Sequence, residues 1–506
     1  MGSGKKESRG GPAVLALVLL CSAGGTGRAL PPGGAEGGGA QAAAPARREL
    51  DPPIAVRVDP RVELLSLVFR LAGSPEYRRA RLEAYAAEAD RFFEGMREHE
   101  AVKQARELRR RAGIGYDAVA SFAVHLLPPD PSGKWKEDAR AGRWPRLPSG
   151  EEERPRSLEA RWTAKAAADF AAALRDFVAK SRFVRFFSAQ EELYEEAESR
   201  MQDLLGRSLR LEWFDRFFGP RPSKTFHLEL ALLNGGLCFG PRVALPGGEE
   251  LHCVLGVWLR DDRGRPRFDE TVLPTVVHEF CHSYCNPRID AHRALLEGPG
   301  RRLWKLSAAG MRRQAYKTWE TMLKETLVRG CVVRWVARTR GPAAAGKECE
   351  RQRALGFEWL GEVADLLAAY ESREERGKTL DGIMPRFAEV LSKEAERLEA
   401  FEALRPKVLR MSPAPGARTD SSVTEIRVWF DRPMKRGSWS VMKTDRPFPK
   451  VAGRPSFEED GRCFVLPVRL RPETSYELWF NRGRALGFRS AEGAPLRPVR
   501  LRFRTR

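Results

Sequence analysis

Two histidines four residues apart, with a glutamate directly after the first, constrain this chain more than any other feature: His278-Glu279-Phe280-Cys281-His282. On an α-helix, residues i and i+4 lie one turn apart on the same face, so both imidazoles reach one point in space. Glu279 projects roughly 100° round the helix from His278, beside that point. The arrangement suits two metal donors and a carboxylate that hydrogen-bonds a metal-bound water and accepts its proton. A helix is expected from about Glu270 to Cys285, with an apolar opposite face of Val272, Leu273, Val276 and Phe280. Asn286-Pro287 is expected to end it, since the residue before a proline avoids the helical region.

A catalytic zinc takes three protein ligands and a water, so a third donor is required. His292 is the only histidine after the motif, and it falls in an irregular segment. A helix expected from about Arg312 to Arg338 offers Glu320 and Glu325 instead. Glu325 shares its face with Thr318, Thr321, Met322, Val328 and Val332, a semi-buried stripe, whereas Glu320 sits among Arg313, Lys317, Lys324 and Arg338. A carboxylate on a semi-buried stripe needs a cation, so Glu325 is the expected third ligand. The plainer reading pairs it with Arg329 alone. Tyr316, Tyr284 and His292 stand unranked as groups to stabilise an oxyanion. Cys281 and Cys285 lie on the ligand-bearing side, either as small packing residues or as neighbours of the metal.

Around this core the chain of 506 residues is long enough for more than one domain. Lys5, Lys6 and Arg9 precede an apolar run from Pro12 to Cys21, and Ala23, Gly25 and Ala29 follow. Residues 1–29 therefore read as a signal peptide and the protein as exported. Leu20 occupies the place of the small residue that lipidation at Cys21 would want. Residues 30–50, rich in Gly, Ala and Pro, read as a disordered linker. Pro128 to Arg156 reads as a long surface loop. Short apolar runs from Phe226 to Leu259 read as a small antiparallel sheet, with Asn234-Gly235-Gly236 or Cys253 to Leu259 as an edge for an extended peptide. Helices are expected over Cys349–Tyr370 and Met384–Leu404. After Pro406, alternation at Ile426, Val428 and Phe430, at Tyr476, Leu478 and Phe480, and at Val499, Leu501 and Phe503 reads as a β-sandwich.

The net charge of +20 is spread along the chain rather than blocked with aromatics. That excludes a specific nucleic-acid arm and leaves association with anionic polymers at a cell surface as the charge-driven partner. Eight cysteines without CxxC spacing do not make a disulfide scaffold, although a Cys238–Cys253 link between neighbouring strands fits the pattern.

The stretches DPRVELLSLVFRLAG, GYDAVASFAVHL, HEFCHSYCNP and KETLVRG resemble the bacterial family of domain of unknown function 4932, over about Asp59 to Arg340. That resemblance implies a zincin-like HExxH metallopeptidase, with His278 and His282 as metal ligands, Glu279 as the acid/base and Glu325 as third ligand. SPAPGARTD, IRVWFDRPM and LRFRT resemble bacterial Ig-like domains of surface-layer and exported proteins. The combined expectation is an α+β chain. Its mostly helical, gluzincin-like domain over 51–405 would act on a peptide or protein substrate, and a β-sandwich would occupy 406–506. The rival is a surface binding protein that keeps a zincin scaffold without activity.

Overall fold

The computed structural model describes residues 54–148, 153–219, 224–372, 379–483 and 485–506. The expected signal peptide, Cys21 and the linker lie outside the described residues. The chain mixes helix and sheet in the α+β manner and divides between Leu391 and Ser392 into two compact units.

The first unit is built on a five-stranded sheet of β1 (Ile54–Arg57), β2 (Lys224–Ala231), β3 (Cys238–Phe239), β4 (Arg242–Leu245) and β5 (Gly248–Gly256). The expected antiparallel sheet is corrected to a mixed one. β1 pairs parallel with β2 and β2 with β5, while β3 and β4 run antiparallel to β5. The physical reason is the connection. The chain between β2 and β5 spends itself on β3 and β4, which fold back on the far side of β5, so β2 and β5 point the same way. Four-residue β1 is too short to show a pattern of its own.

Side chains alternate across β2. Phe226, Leu228 and Leu230 are buried, and the Phe226 ring packs edge-on against Phe280 at 5.0 Å between centroids. This face therefore holds the motif helix, Leu273–Ala291. That helix runs past Asn286-Pro287, where the sequence points to a stop. Packing outweighs the lost backbone hydrogen bond, because Ile289 beyond the proline is buried and the helix lies along Trp319–Arg340. The latter, the Glu325 helix, starts later than Arg312. Thr318 caps it by accepting from Thr321 N, and Ala315 before it takes a left-handed φ of 68°. The helix expected over Cys349–Tyr370 is two helices, Pro342–Ala354 and Leu360–Glu371, broken at Gly356 with φ 104°. A short helix, Lys134–Arg140, lies within the stretch expected as loop.

In the second unit, Lys450–Val451, Cys463–Arg469, Glu425–Phe430 and Val408–Ser412 line up in one sheet, with Ser456–Glu458 also on Cys463–Arg469. Val441–Lys443, Ser475–Phe480, Val499–Thr505 and Arg418–Thr419 make a second. Ile426, Val428 and Phe430 from the first sheet share one core with Tyr476, Leu478, Phe480, Leu501 and Phe503 from the second. Among the described residues, no helix is long and apolar enough to cross a membrane.

Candidate metal centre

Helical periodicity puts His278 and His282 on one face, and the packing of the two helices sets Glu325 opposite them. The two Nε2 atoms lie 3.2 Å apart. Glu325 Oε2 is 3.6 Å from His278 Nε2, and Oε1 is 3.5 Å from His282 Nε2. The rings stand at 85° to each other, so the two lone-pair edges converge without stacking. His282 Nδ1 lies 3.2 Å from Asn286 Oδ1. Donation there leaves Nε2 as an acceptor, the usual support for a metal-binding imidazole. Glu320 is not drawn in: it faces outward and pairs with Arg293 at 3.0 Å.

Glu325 also holds Arg329, one turn on. The guanidinium donates from Nε and Nη2 to Oε2, at 3.1 and 2.9 Å, and from Nη2 to Tyr316 Oη at 2.7 Å. Its Nη1 donates to Gln352 Oε1. Burial pushes the Glu325 carboxyl up, but the Arg329 guanidinium, the foremost opposing cause, outweighs it and helps hold the carboxyl at about 2. The carboxylate is thus fixed in its ionised form. Burial holds His278 well below its ordinary value, so this imidazole is neutral and offers a lone pair.

Glu279 is buried beside the cluster. Burial, and then the nearby Glu325 charge, raise it well above the carboxylate range. The backbone of Glu279 is gripped from the sheet edge. A Cβ on Gly240, between β3 and β4, would meet its carbonyl oxygen and lie only 2.8 Å from its carbonyl carbon. Cys238 and Cys253 feel the same carboxyl, and both thiols are raised chiefly by burial. They are free, since strand register sets Cys238 opposite Leu255 rather than Cys253.

Of the three candidates for an oxyanion, Tyr316 is the one joined to the cluster, through Arg329. Tyr284 stacks on Phe218 at 4.2 Å, and His292 lies 3.0 Å from Asp381. Cys281 and Cys285 are fully buried, and Cys285 Sγ is 3.8 Å from Cys331 Sγ on the Glu325 helix. They pack the interface between the two helices. Sequence reasoning missed Gln352 and Gly240, which reach the site from distant segments. It met Arg329 only as a partner for Glu325.

Fold and site together define an α+β protein whose donor set of two histidines and one glutamate lies on two adjoining helices. A family model described as domain of unknown function (DUF4932) matches residues 54–390, and the chain belongs to that family. The match reaches about fifty residues beyond the stretch that motifs alone delimit. A comparison with curated protein sequences finds no match. Two solved structures are similar at 14% and 15% identity: the S-layer protein rSbsC(31-844) and surface layer protein SbsC, domains 1-6. Each match covers 49% of this chain and 35% of that one, with a TM-score of 0.17. This chain thus spans about a third of those structures' length, and a score that low defines no shared fold.

Proposed function

We propose that this chain is an exported, zinc-dependent metallopeptidase of gluzincin type, with an Ig-like β-sandwich as its second unit. The observation that carries the reading is the convergence of His278, His282 and Glu325 with buried Glu279 at their side. The donor chemistry fits zinc: two imidazole nitrogens and a carboxylate held ionised by Arg329. A divalent cation also fits the charge pattern, because a buried carboxyl such as Glu279 becomes a carboxylate when positive charge stands nearby. When bound, zinc supplies Lewis-acid polarisation of a carbonyl and acidifies a water.

The chain's own groups then do the rest. Glu279 takes a proton from the attacking water on its carboxylate and returns it to the leaving amine. Arg329 keeps Glu325 oriented and donates to Tyr316 Oη, and Tyr316 is the hydroxyl assigned in this reading to a developing oxyanion. An extended peptide or protein is the substrate class that such a centre serves.

The test is zinc content of wild type, Glu325→Ala and Glu320→Ala, with cleavage of an unstructured protein by wild type and Glu279→Gln. One zinc bound at these ligands should be lost with Glu325→Ala only, and Glu279→Gln should cut roughly 10²–10⁴-fold more slowly while keeping metal. Wild type that holds no zinc after repletion and cuts nothing would refute the reading and leave a surface binding protein on this scaffold.

A further inference from the structure

The face of β2 and β5 turned away from Phe226 and the motif helix is polar. His227 and Glu229 alternate on β2, Glu250 and His252 on β5, and parallel register sets His227 directly beside His252. The two rings are 4.8 Å apart. His252 Nδ1 lies 2.8 Å from Glu229 Oε1, and its Nε2 lies 3.4 Å from Glu250 Oε2. His227 Nε2 is 4.0 Å from Glu250 Oε1 and 3.1 Å from Thr225 Oγ1. Glu250 thus stands behind both imidazoles at their Nε2 atoms.

One donor atom from each of His227, Glu229 and His252 lies within 4.8 Å of the others. Glu229 is fully buried, yet its Oε2 has no hydrogen-bond partner, and neither has the buried Nδ1 of His227. Leaving a buried carboxylate oxygen and an imidazole nitrogen unsatisfied is costly, and both are metal donors. Arg57 meets both Asp59 and Glu229, Arg61 pairs with Asp59, and Glu250 meets His252.

We propose that His227, Glu229 and His252 hold a second divalent cation of the zinc class, on the opposite side of the sheet from the His278–His282–Glu325 centre. Glu250 takes the role of the carboxylate behind a metal-binding histidine, accepting from Nε2–H and leaving Nδ1 as donor. The side chains of Arg57, Glu250 and His227 are part exposed, at 30%, 28% and 16%, which gives the ion an entry. The competing state is metal-free, with a proton on His252 held between Glu229 and Glu250.

The experiment counts zinc. Tag-free protein is loaded with zinc, passed through gel filtration and analysed for the metal, with circular dichroism to confirm folding. Two equivalents are expected in wild type, one in His278→Ala/His282→Ala, one in His227→Ala, and none when all three changes combine. Glu229→Gln, which keeps size and shape, should lose the same equivalent as His227→Ala. A folded His278→Ala/His282→Ala chain without zinc overturns the proposal and leaves His252 bonded to Glu229 and Glu250 without a metal. The inference does not rest on the peptidase reading. If that reading fails, the remaining zinc is lost with His227→Ala and untouched by the changes at His278 and His282.

Discussion

Gly240→Ala is the substitution that most directly tests how the sheet edge supports the motif helix. A Cβ at this position lies 2.8 Å from the Glu279 carbonyl carbon and 3.0 Å from its Cα, and closer still to the carbonyl oxygen. All three are backbone atoms, so no side chain can swing aside. Ordinary contact begins near 3.5 Å, so the β3–β4 turn or the helix must shift by about 1 Å. Overpacking of this kind costs about 1–3 kcal/mol, less the ~0.4–1 kcal/mol that alanine gains by stiffening the unfolded chain. A displacement of about 1 Å at a proton-transferring group costs on the order of 10²-fold in rate. The assay is a urea denaturation curve together with cleavage by zinc-loaded protein. Gly346→Ala is the control: this glycine lies in Pro342–Ala354 with nothing within 4 Å of its Cβ position, so alanine there should stabilise by roughly 0.5–1 kcal/mol. Gly240→Ala at wild-type stability and wild-type rate would refute the claim that this close approach positions Glu279.

Three further perturbations follow from buried groups. Arg329→Met removes the guanidinium that Glu325, Tyr316 and Gln352 share, and in zinc-free protein should cost about 3–5 kcal/mol in denaturation because Glu325 is left a buried charge without its cation. A cost below ~1 kcal/mol would show that the pair is not closed to water. Cys285 and Cys331 should cross-link under a mild disulfide oxidant, seen as one joined peptide pair absent from Cys331→Ser. A loop of 46 residues closed in this way should stabilise by about 4 kcal/mol. Glu63 accepts from Leu232 N, Leu233 N and Tyr85 Oη, yet burial still raises it to about 7 from an ordinary 4.5. The folded state therefore keeps a proton that the unfolded chain gives up. Stability from this group is full below pH ~4.5 and lost as pH rises towards ~7, by on the order of 3 kcal/mol. The pH slope of wild type minus that of Glu63→Gln reads it, and equal slopes would refute the assignment.

What the sequence made legible has one physical origin, which is local periodicity. The spacing of His278 and His282 and the separate faces of Glu320 and Glu325 follow from 3.6 residues per turn within single helices. Likewise the alternation at Ile426, Val428 and Phe430 needs only a strand to place all three in one core. Features set by distant segments were not legible. Parallel pairing of β1 with β2 joins Ile54 to Phe226, and no local pattern encodes a partner so far along the chain. Pro287 misled for the same reason: the local rule against proline in a helix was outweighed by packing against another helix. The polar face of the sheet is the intermediate case. His227-Leu228-Glu229 and Glu250-Leu251-His252 each display period-2 polarity inside an apolar strand, which is visible in the letters. Their meaning depends on register, because a shift by one residue between β2 and β5 would turn one pair to the opposite face. The same argument ranks the two clusters. The first is specified within helices and completed by one packing contact. The second exists only through strand pairing, so changes that loosen β1 or β2 should disturb the His227–Glu229–His252 cluster before they reach His278 and His282.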